Sequence, residues 1–332
     1  MIVCATSLNE LLASYRGKRI LVTGGTGFVG ANLVRLLTDA DCQIVRISRS
    51  GTMAAPLRCR AEIRDVVGDI RDRAIWESTL QDSDIVFHFA AQTSVYAGNE
   101  NPFADLEINV LPIVHLLETC RQKGLQPIVL FSGTVTEAGI PTRLPVDESH
   151  PDKPITMYDL HKLMAENYLK YYVNQRIVCG AVLRLANVYG PGPQTSSADR
   201  GILNRMIRKA LDGATLTIYG KGDCLRDYVY VEDIARAFLM AGLNIEHVNG
   251  ESFVIGSGCG HSLAEAFHLV AKHVALKTGR RVPVVRVDAH PPQTPIETRN
   301  FIANPAKFMR ATGWRPSYSL GEGIDRTVES YL

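Results

Sequence analysis

Tyr158 and Lys162, four residues apart, are the pair in this sequence best suited to proton transfer. On a helix, residues four apart share a face. A lysine ammonium beside a phenol favours the phenolate and lowers the tyrosine pKa from about 10 toward neutral pH. Such a phenol can exchange a proton with a sugar hydroxyl or a ketone. A surface pair on an amphipathic helix has the same spacing, so the interpretation needs support from the rest of the chain.

Two hydroxyl side chains follow an apolar run upstream of this pair. In the segment FSGTVTEAG, Ser132 and Thr134 come directly after a predicted strand. A hydroxyl at such a strand end can hydrogen-bond a reacting oxygen and hold it near Tyr158. Turn chemistry explains either hydroxyl alone, but the combination is far more specific than its parts. We therefore predict that Thr134 acts with Tyr158 and Lys162 in catalysis. Ser132 is predicted to contact the substrate.

A glycine-rich segment, TGGTGFVG, links the first predicted strand to the helix that follows it. Glycine lets the backbone turn sharply and approach a pyrophosphate, whose charge then rests on the helix N-terminus. A tight turn without a ligand is the simpler alternative, but the strand–turn–helix context favours dinucleotide binding. The predicted cofactor contacts in this segment are Gly24, Gly27, Phe28, Val29 and Gly30.

The second predicted strand ends in IVRISRSG, without the acidic residue that commonly binds the ribose of NAD. It offers Ser48, Arg49 and Ser50 instead. Arginine makes charge-assisted hydrogen bonds to phosphate, and neighbouring serines can add to them. We therefore interpret Ser48 and Arg49 as contacts to the 2′-phosphate of NADP. The alternative is an NAD site in which Arg49 stacks on the adenine.

The order of predicted elements explains how these residues could meet. Strands alternate with helices as far as Gly190, and the strands are continuous apolar runs. That pattern is typical of an α/β fold with a doubly wound parallel sheet covered on both faces. Ligands of such sheets bind at the carboxyl ends of the strands. The pattern also predicts a short strand over 66–70, one helix over 103–123 and one strand over 179–190.

The character of the sequence changes after Gly190, where a loop rich in glycine and proline is followed by short mixed segments. We interpret these segments as a smaller C-terminal lobe that covers the ligand edge of the sheet. The predicted division gives residues 1–186 to a dinucleotide-binding domain, to which 225–250 returns. Residues 187–224 and 251–332 form the predicted substrate-binding lobe.

Composition argues against several classes of function. The 332 residues carry 36 basic and 34 acidic side chains, a formal charge of +2, and no basic block, so nucleic acid is not an expected partner. No apolar run reaches the roughly 18 residues that span a bilayer, and the N-terminus lacks a signal-peptide pattern. The seven cysteines are scattered, which favours reduced thiols over disulfides or a metal site. We therefore expect a cytoplasmic protein that binds no metal and no membrane.

The motifs occur in the order of a known family. TGGTGFVG, GDI at 68–70, HFAAQ from residue 88, FSGT, YDLHK and RLANVYGPG resemble those of the extended short-chain dehydrogenases/reductases, the NAD-dependent epimerase/dehydratase family. The resemblance covers almost the whole chain. It implies a Rossmann-type fold, a nucleotide-diphosphate sugar as substrate, and a homodimer built on a four-helix contact that includes the helix of Tyr158.

The resemblance also implies site residues beyond those argued above. Implied contacts to the cofactor are Asp69, Ile70, Ala90, Ala91, Gln92, Asn109 and Lys162, and implied contacts to the substrate are Asn187, Arg200 and Arg226. Arg226 has a physical reason as well, because a guanidinium suits phosphate oxygens. A salt bridge to Asp227 or Asp233 is the alternative for that side chain.

Several reactions of the family compete for this chain. The 4,6-dehydratases carry an Asp-Glu pair just after the catalytic hydroxyl, whereas Thr134 is followed here by Val135 and Thr136. Glu137 is close, but no acid pair exists, so elimination is disfavoured. Epimerases and reductases remain. An epimerase keeps one NAD through many turnovers, and a reductase takes a fresh NADPH for each.

The C-terminal half makes a reductase our first expectation. SADRGILNRMIRKALDG, LRDYVYVEDIARAFLMA and TGWRP look similar to segments of the deoxysugar 4-ketoreductases, which reduce a dTDP-4-keto-6-deoxyhexose. With the absence of an acid beside Arg49, this favours NADPH-dependent reduction of a C4 ketone. An NAD-dependent nucleotide-sugar 4-epimerase is the alternative. A non-catalytic NADP-binding regulatory protein is a third hypothesis, although such a protein has no need for Tyr158 and Lys162.

Overall fold

The computed structural model describes residues 7–49, 59–193, 201–288 and 294–332. The described strands are β1 Arg19–Thr23, β2 Gln43–Ser48, β3 Glu62–Val67, β4 Ile85–His88, β5 Ile128–Thr134, β6 Cys179–Leu185, β7 Asn187–Tyr189, β8 Leu216–Tyr219, β9 Leu225–Tyr230, β10 Ser252–Ile255, β11 Gly260–Ser262 and β12 Val284–Val287. The described α-helices are α1 Leu8–Ala13, α2 Phe28–Leu37, α3 Arg73–Thr79, α4 Val95–Glu100, α5 Pro102–Asn109, α6 Leu111–Lys123, α7 Met157–Asn174, α8 Ile202–Leu211, α9 Val231–Leu243, α10 Ile245–Val248, α11 Leu263–Thr278, α12 Pro295–Thr298, α13 Ala306–Thr312 and α14 Leu320–Tyr331.

Seven parallel strands form the large sheet, in the order β10-β6-β5-β4-β1-β2-β3. The chain builds outward from β1 in one direction and from β4 in the other, so the strand order reverses between these two strands. Such a switch point is where ligands of doubly wound sheets bind. Thr23 on β1 is level with Ile47 on β2 and His88 on β4, so the carboxyl ends of these strands meet at one edge.

Helices cover both faces of the large sheet, because its central strands β1, β4, β5 and β6 are apolar and buried on both sides. Helices α1, α2, α9 and α13 share one core with the sheet, in which Leu33 and Phe238 are fully buried. Helices α3, α6 and α7 share the other, around Trp76, Leu116 and Leu169. This arrangement confirms the predicted α/β fold. None of the helices within the described residues combines the length and apolar character needed to cross a bilayer.

A smaller lobe carries a third core. Helices α8, α11 and α14 pack with the strand pair β8–β12 around Leu203, Phe267 and Ile324. A three-stranded sheet, in the order β11-β9-β7, is also formed by strands from the second half of the chain. Strand β7 begins two residues after β6 ends, so the small sheet adjoins the carboxyl edge of the large one.

Three elements differ from the sequence-based expectation. The helix predicted over 103–123 is two helices, α5 and α6, separated at Val110. Pro112 explains the break, because it has no N–H to donate to the preceding turn and its ring crowds that turn. The strand predicted over 179–190 is also divided, since β6 and β7 belong to different sheets. The third strand occupies 62–67, so the predicted 66–70 overlaps only its last two residues.

Strand β10 was not predicted, and its position bears on the domain division. Residues 252–255 pair with β6 as the edge strand of the large sheet, within a segment assigned to the substrate lobe. The separation of 251–332 from the dinucleotide-binding domain therefore needs correction at this strand. Its sequence, SFVI, is too short for periodicity to distinguish a sheet strand from any other apolar segment.

Candidate active site

The glycine-rich segment forms the loop between β1 and α2, at the switch point of the sheet. Gly24 has a φ of +66°, a left-handed conformation that favours glycine, and a Cβ there would lie 2.9 Å from the backbone nitrogen of Ala90. A Cβ on Gly30 would lie 2.3 Å from the carbonyl oxygen of Gly24. Helix α2 begins one residue after Gly27, and its first two residues, Phe28 and Val29, are half-buried. The free N–H groups of the helix start therefore follow the loop directly.

The end of β2 places a cation near Asp69, one of the cofactor contacts that the family resemblance implies. Ser48 is the half-buried last residue of the strand, and Arg49 is exposed. The pKa of the Asp69 carboxyl is lowered mainly by hydrogen bonds from Arg71, and the nearby charge of Arg49 lowers it further. Ile70, the next residue in the chain after Asp69, is buried. The structure therefore brings Ser48, Arg49 and Asp69 to the same edge of the sheet.

The segment after β4 carries a buried polar cluster. Ala90 and Ala91 are half-buried, and the side chain of Gln92 hydrogen-bonds the carboxylate of Asp105. The amide of Asn109 donates to Asp105 at 3.1 Å and to the backbone carbonyl of Gln92 at 3.1 Å. The Oδ1 of Asn109 is buried and has no donor within the described residues. A buried acceptor of this kind needs a partner.

The predicted catalytic residues lie at one strand end and one helix start. Thr134 is the last residue of β5, and Tyr158 and Lys162 lie one turn apart at the start of α7. All three residues are buried: Thr134 and Tyr158 are 6 % exposed, and Lys162 is 3 % exposed. The Nζ of Lys162 lies 4.0 Å from the centroid of the Phe131 ring on β5. The ammonium is therefore held against the sheet, on the strand that ends in Thr134.

Burial gives the lysine an unusual pKa. Desolvation lowers the pKa of Lys162 to about 8, and the carboxylates of Glu137, Asp105 and Glu166 oppose that effect. Burial also lowers the pKa of His88 to about 3, with a smaller contribution from the charge of Lys162. His88 is therefore neutral near pH 7, and its Nδ1 lies 2.8 Å from Thr23 Oγ1.

A buried network of ion pairs lies next to the end of β5 that carries Thr134. Arg184 on β6 contacts Glu137 at 3.0 Å, Glu166 at 2.6 Å and Asp152 at 2.6 Å. Burial raises the pKa of Glu137, whereas the hydrogen bond and charge of Arg184 hold the pKa of Glu166 at about 2. Since Glu137 also accepts a hydrogen bond from the backbone N–H of Thr134, the network fixes the strand end that carries the hydroxyl.

Two of the four predicted substrate residues line a cleft beside the end of β5. Asn187 and Arg226 line it together with Thr134. Ser132 is half-buried on β5 and donates to the carbonyl oxygen of His88 at 3.3 Å. Arg200 lies outside the described residues.

Arg226 is held by backbone groups. Its guanidinium donates to the carbonyl oxygens of Leu225 at 3.0 Å and Glu297 at 2.6 Å, and to that of Arg299. The neighbouring carboxylate of Asp227, considered above as an ion-pair partner, accepts hydrogen bonds from Ser257 and from the backbone N–H groups of Gly258 and Ala303. Arg226 therefore ties the 297–299 segment to the cleft.

Sequence reasoning missed three polar residues of the cleft region. Thr136 and Arg299 line the cleft, and Asp159 is fully buried behind it. The Oδ1 of Asp159 accepts a hydrogen bond from the hydroxyl of Thr136, and its Oδ2 lies 3.9 Å from Arg299 Nη1. Asp159 is the residue directly after Tyr158, so the motif YDLHK contained a signal that was not used. Nothing local in the sequence marks Arg299.

The residues present fit a bound dinucleotide. The loop at Gly24 and Gly30 leaves room only for backbone, the helix start supplies free N–H groups, and Asn109 offers an unused buried acceptor. Lys162 lies across the same edge, on α7. These are independent features, and all lie at the carboxyl edge of the large sheet.

Comparison with known proteins agrees with this geometry. The model of the NAD dependent epimerase/dehydratase family matches residues 20–256. Over 319 residues, the chain is 32% identical to the UDP-glucose 4-epimerase of Mycolicibacterium smegmatis, covering 94% of this chain and 98% of the relative.

Solved structures of similar proteins have the same fold. The UDP-glucose 4-epimerase of Thermotoga maritima with UDP-glucose superimposes with a TM-score of 0.82 at 30% identity, covering 94% of this chain and 98% of the other. That of Thermus thermophilus with NAD gives a TM-score of 0.78 at 30% identity, with the same coverage. The chain belongs to the NAD dependent epimerase/dehydratase family.

Proposed function

We propose that this protein is a nucleotide-sugar 4-epimerase that uses a tightly held NAD. The observation that carries the proposal is the buried set of Thr134, Tyr158 and Lys162 at the cofactor edge, in a chain whose similar relatives are named UDP-glucose 4-epimerases. The sequence alone favoured a 4-ketoreductase, and the relatives favour the alternative. A uridine-linked hexose is accordingly the first substrate to test.

The protein residues divide the work of the reaction. A bound nicotinamide would supply the acceptor for the hydride of C4 and the donor that returns it to the opposite face of the sugar. Tyr158 takes the proton of the C4 hydroxyl as the ketone forms and gives it back as the alcohol is restored. Lys162, as an ammonium, stabilises the phenolate of Tyr158 before it takes the proton and again after it has returned it. Thr134 contacts the reacting oxygen and keeps it at the tyrosine.

The cofactor and substrate divide the edge of the sheet between them. The loop at Gly24 and Gly30 would hold the pyrophosphate of the dinucleotide, because only backbone can approach there. Asn187 and Arg226, which line the cleft, would contact the nucleotide diphosphate of the sugar. A guanidinium suits phosphate oxygens, and Arg226 is already oriented by three backbone carbonyls.

The decisive experiment combines nucleotide analysis with an assay. The purified protein is denatured, any released nucleotide is identified, and the protein is then incubated with UDP-glucose and UDP-galactose without added cofactor. Released NAD together with interconversion of the two sugars would support the proposal. A protein that carries no NAD and interconverts neither sugar when supplied with NAD would refute the UDP-hexose epimerase.

A second candidate rests on the end of β2. Ser48 and Arg49 stand there without an acidic neighbour on the strand, and Arg49 is exposed. A cation at this place suits the 2′-phosphate of NADP, which favours NADPH-dependent reduction of a dTDP-4-keto-6-deoxyhexose. Clear preference for NADPH over NADH in binding, lost in Arg49→Ala, with consumption of NADPH on a 4-keto sugar would favour this candidate.

A homodimer is proposed as the assembled form. Helix α7 carries Leu160, Tyr168 and Tyr171 at helical spacing, and they are 39 %, 40 % and 59 % exposed. Phe103 on α5, against which α7 packs, is 82 % exposed. Large apolar side chains in one such band suit a contact between copies of the chain, as the resemblance to the family implies.

A further inference from the structure

Asp159 and Thr136 form a hydrogen-bonded chain behind the candidate catalytic hydroxyl. Asp159 lies in the first turn of α7, directly after Tyr158, and is fully buried. Its Oδ1 accepts a hydrogen bond from the hydroxyl of Thr136. The Oγ1 atoms of Thr136 and Thr134 lie 2.9 Å apart, and the backbone N–H of Thr136 donates to Thr134 Oγ1 at 3.3 Å.

Counting protons fixes the direction of this chain. A carboxylate has no proton to give, so Thr136 must donate its single hydroxyl proton to Asp159. In the contact between the two threonines, Thr136 is then the acceptor and Thr134 the donor. Thr134 therefore donates its only hydroxyl proton to Thr136, away from the cleft that it lines. What it can offer to a ligand is a lone pair.

We infer that Asp159 and Thr136 are positioning residues that set the Thr134 hydroxyl as a hydrogen-bond acceptor toward the reacting oxygen of the substrate. The inference deepens the proposed function and rests on it for the role of Thr134. The C4 hydroxyl has a single proton, which it donates to Thr134 while Tyr158 is a neutral phenol and which turns to Tyr158 when the phenolate takes it. An acceptor at Thr134 therefore matches the C4 hydroxyl, whereas a C4 ketone has no proton to give it. To serve the ketone, Thr134 must turn its proton outward and lose its bond to Thr136.

The chain therefore favours the alcohol over the ketone in the bound sugar. In an epimerase this limits the fraction of molecules that hold the 4-keto sugar and the reduced cofactor, the state from which a reactive intermediate could escape. Hydroxyl-to-hydroxyl and hydroxyl-to-carboxylate bonds are individually ordinary. Their effect here comes from their fixed direction, which the charge of Asp159 imposes on both threonines.

The test removes the chain at each of its members. Thr136→Val keeps the shape but removes the acceptor for Thr134. Asp159→Asn places an amide beside Thr136 that can donate to it, so that the proton of Thr136 is released. Thr136→Ser keeps the hydroxyl and serves as the matched control. Circular dichroism establishes that each variant is folded before it is compared.

The readout is the ratio of reduced to oxidised nicotinamide during turnover, followed by its near-ultraviolet absorbance. Thr136→Val and Asp159→Asn should each raise the ratio about three- to tenfold, the equilibrium effect of one ordinary hydrogen bond. Thr136→Ser should leave it unchanged. Loss of turnover without a change in the ratio would indicate a merely structural role and overturn the inference.

A binding measurement separates this inference from the proposed function. The relative affinity for UDP-glucose and for a nucleotide-linked 4-keto-6-deoxyhexose is measured by calorimetry, with no turnover required. Thr136→Val should shift the preference toward the ketone by a similar factor, with Thr136→Ser again unchanged. An unaltered preference overturns the inference even if the protein is an epimerase. A shifted preference in a protein that does not epimerise supports the inference and refutes the proposed function.

Discussion

Lys162 shows how a single residue reconciles a charge with a buried site. Its ammonium packs against the ring of Phe131, and burial lowers its pKa to about 8 from the ordinary 10.5. Such a group must be charged to stabilise a phenolate, and near pH 7 it still is. The surrounding carboxylates, with Glu137 the largest contributor, offset part of the desolvation. These carboxylates thus help Lys162 to keep its proton, which burial by itself disfavours.

This lowered pKa predicts a pH-dependent effect on stability. The folded protein binds fewer protons at Lys162 than the unfolded chain between pH 8 and 10.5, so stability rises with pH through that window. Lys162→Met should therefore raise the melting temperature by a few degrees at pH 7, where the penalty is complete. The gain should shrink toward pH 10.5. Thermal unfolding of the cofactor-free protein at several pH values measures it.

The exposed Lys272 provides the control for this experiment. Lys272→Met removes the same charge from the surface of α11 and should change the melting temperature little at either pH. A loss of stability in Lys162→Met that is the same at all pH values would show that the buried ammonium is not a destabilising charge.

Tyr158 carries the clearest prediction for activity. Tyr158→Phe removes only the phenolic oxygen, so turnover should fall by about a hundredfold or more while dinucleotide affinity stays nearly constant. Tyr168→Phe, on the same helix but 40 % exposed, should leave both unchanged. Steady-state rates and calorimetric titration with NAD and NADP measure the two properties. Retained turnover in Tyr158→Phe would exclude that phenol as the proton carrier.

At the residue scale, the sequence predicted types and spacings better than partners. Tyr158 and Lys162 could be paired because helical geometry alone puts residues four apart on one face. The contacts of Asp159 could not be predicted, because Thr136 and Arg299 reach it from elements 23 and 140 residues away. Arg226 was expected to meet either phosphate or a carboxylate, and it is held by backbone carbonyls that no local pattern specifies.

The loop between β1 and α2 illustrates the element scale, because its geometry allows no side chain. A methyl group on Gly30 would lie 2.3 Å from the carbonyl oxygen of Gly24, so the loop must shift to accept it. Gly30→Ala should therefore weaken dinucleotide affinity at least tenfold, since the backbone can no longer approach the pyrophosphate closely. Isothermal titration with NAD and NADP measures the loss.

A second glycine distinguishes the loop from general strain. Gly279 ends α11 at a φ of +70°, and a Cβ there would meet no atom within 4 Å. Gly279→Ala should lower stability by about 1 kcal/mol and leave the affinity intact. Equal losses of affinity in both variants would contradict a specific role for the loop.

Elements were predictable where their signals are local. The glycine loop, the apolar strands and α7 can each be identified within a dozen residues of sequence. The capping box of α1, formed by Ser7 and Glu10, is equally local. The boundary between α5 and α6 at Val110 was not predicted, because the helical spacing of apolar residues continues across it. Strand β10 was missed because only its pairing with β6, some 70 residues earlier, makes it a strand of the large sheet.

The assembly is decided at the scale of the whole molecule. The double variant Tyr168→Glu and Tyr171→Glu places two charges in the exposed apolar band of α7, so a dimer built there should dissociate. Leu276→Glu, at an apolar residue on α11 that is 71 % exposed, should not alter the oligomeric state. Sedimentation velocity of the wild type, the double variant and Leu276→Glu measures their oligomeric states. A wild-type protein that sediments as a monomer would contradict the proposed dimer.

The chain passes repeatedly between the two lobes. It leaves the large sheet after β6, returns with α9 to cover one face, adds β10 at the edge, and comes back once more with α13 after the small sheet is closed. Neither lobe is therefore a continuous piece of sequence. The segment 1–186 alone would expose the apolar face that α9 covers, around Phe87 and Leu130.

Because the chain passes between the lobes several times, one lobe should not fold as a separate fragment. Residues 1–186, produced alone, should collapse into aggregates with no cooperative unfolding transition, and circular dichroism with thermal melting would detect it. A soluble, cooperatively melting fragment would refute this expectation. The same topology prevents the smaller lobe from being exchanged between relatives as one continuous segment. Such an exchange would need several crossover points, because no single pair of them delivers one lobe without cutting the other.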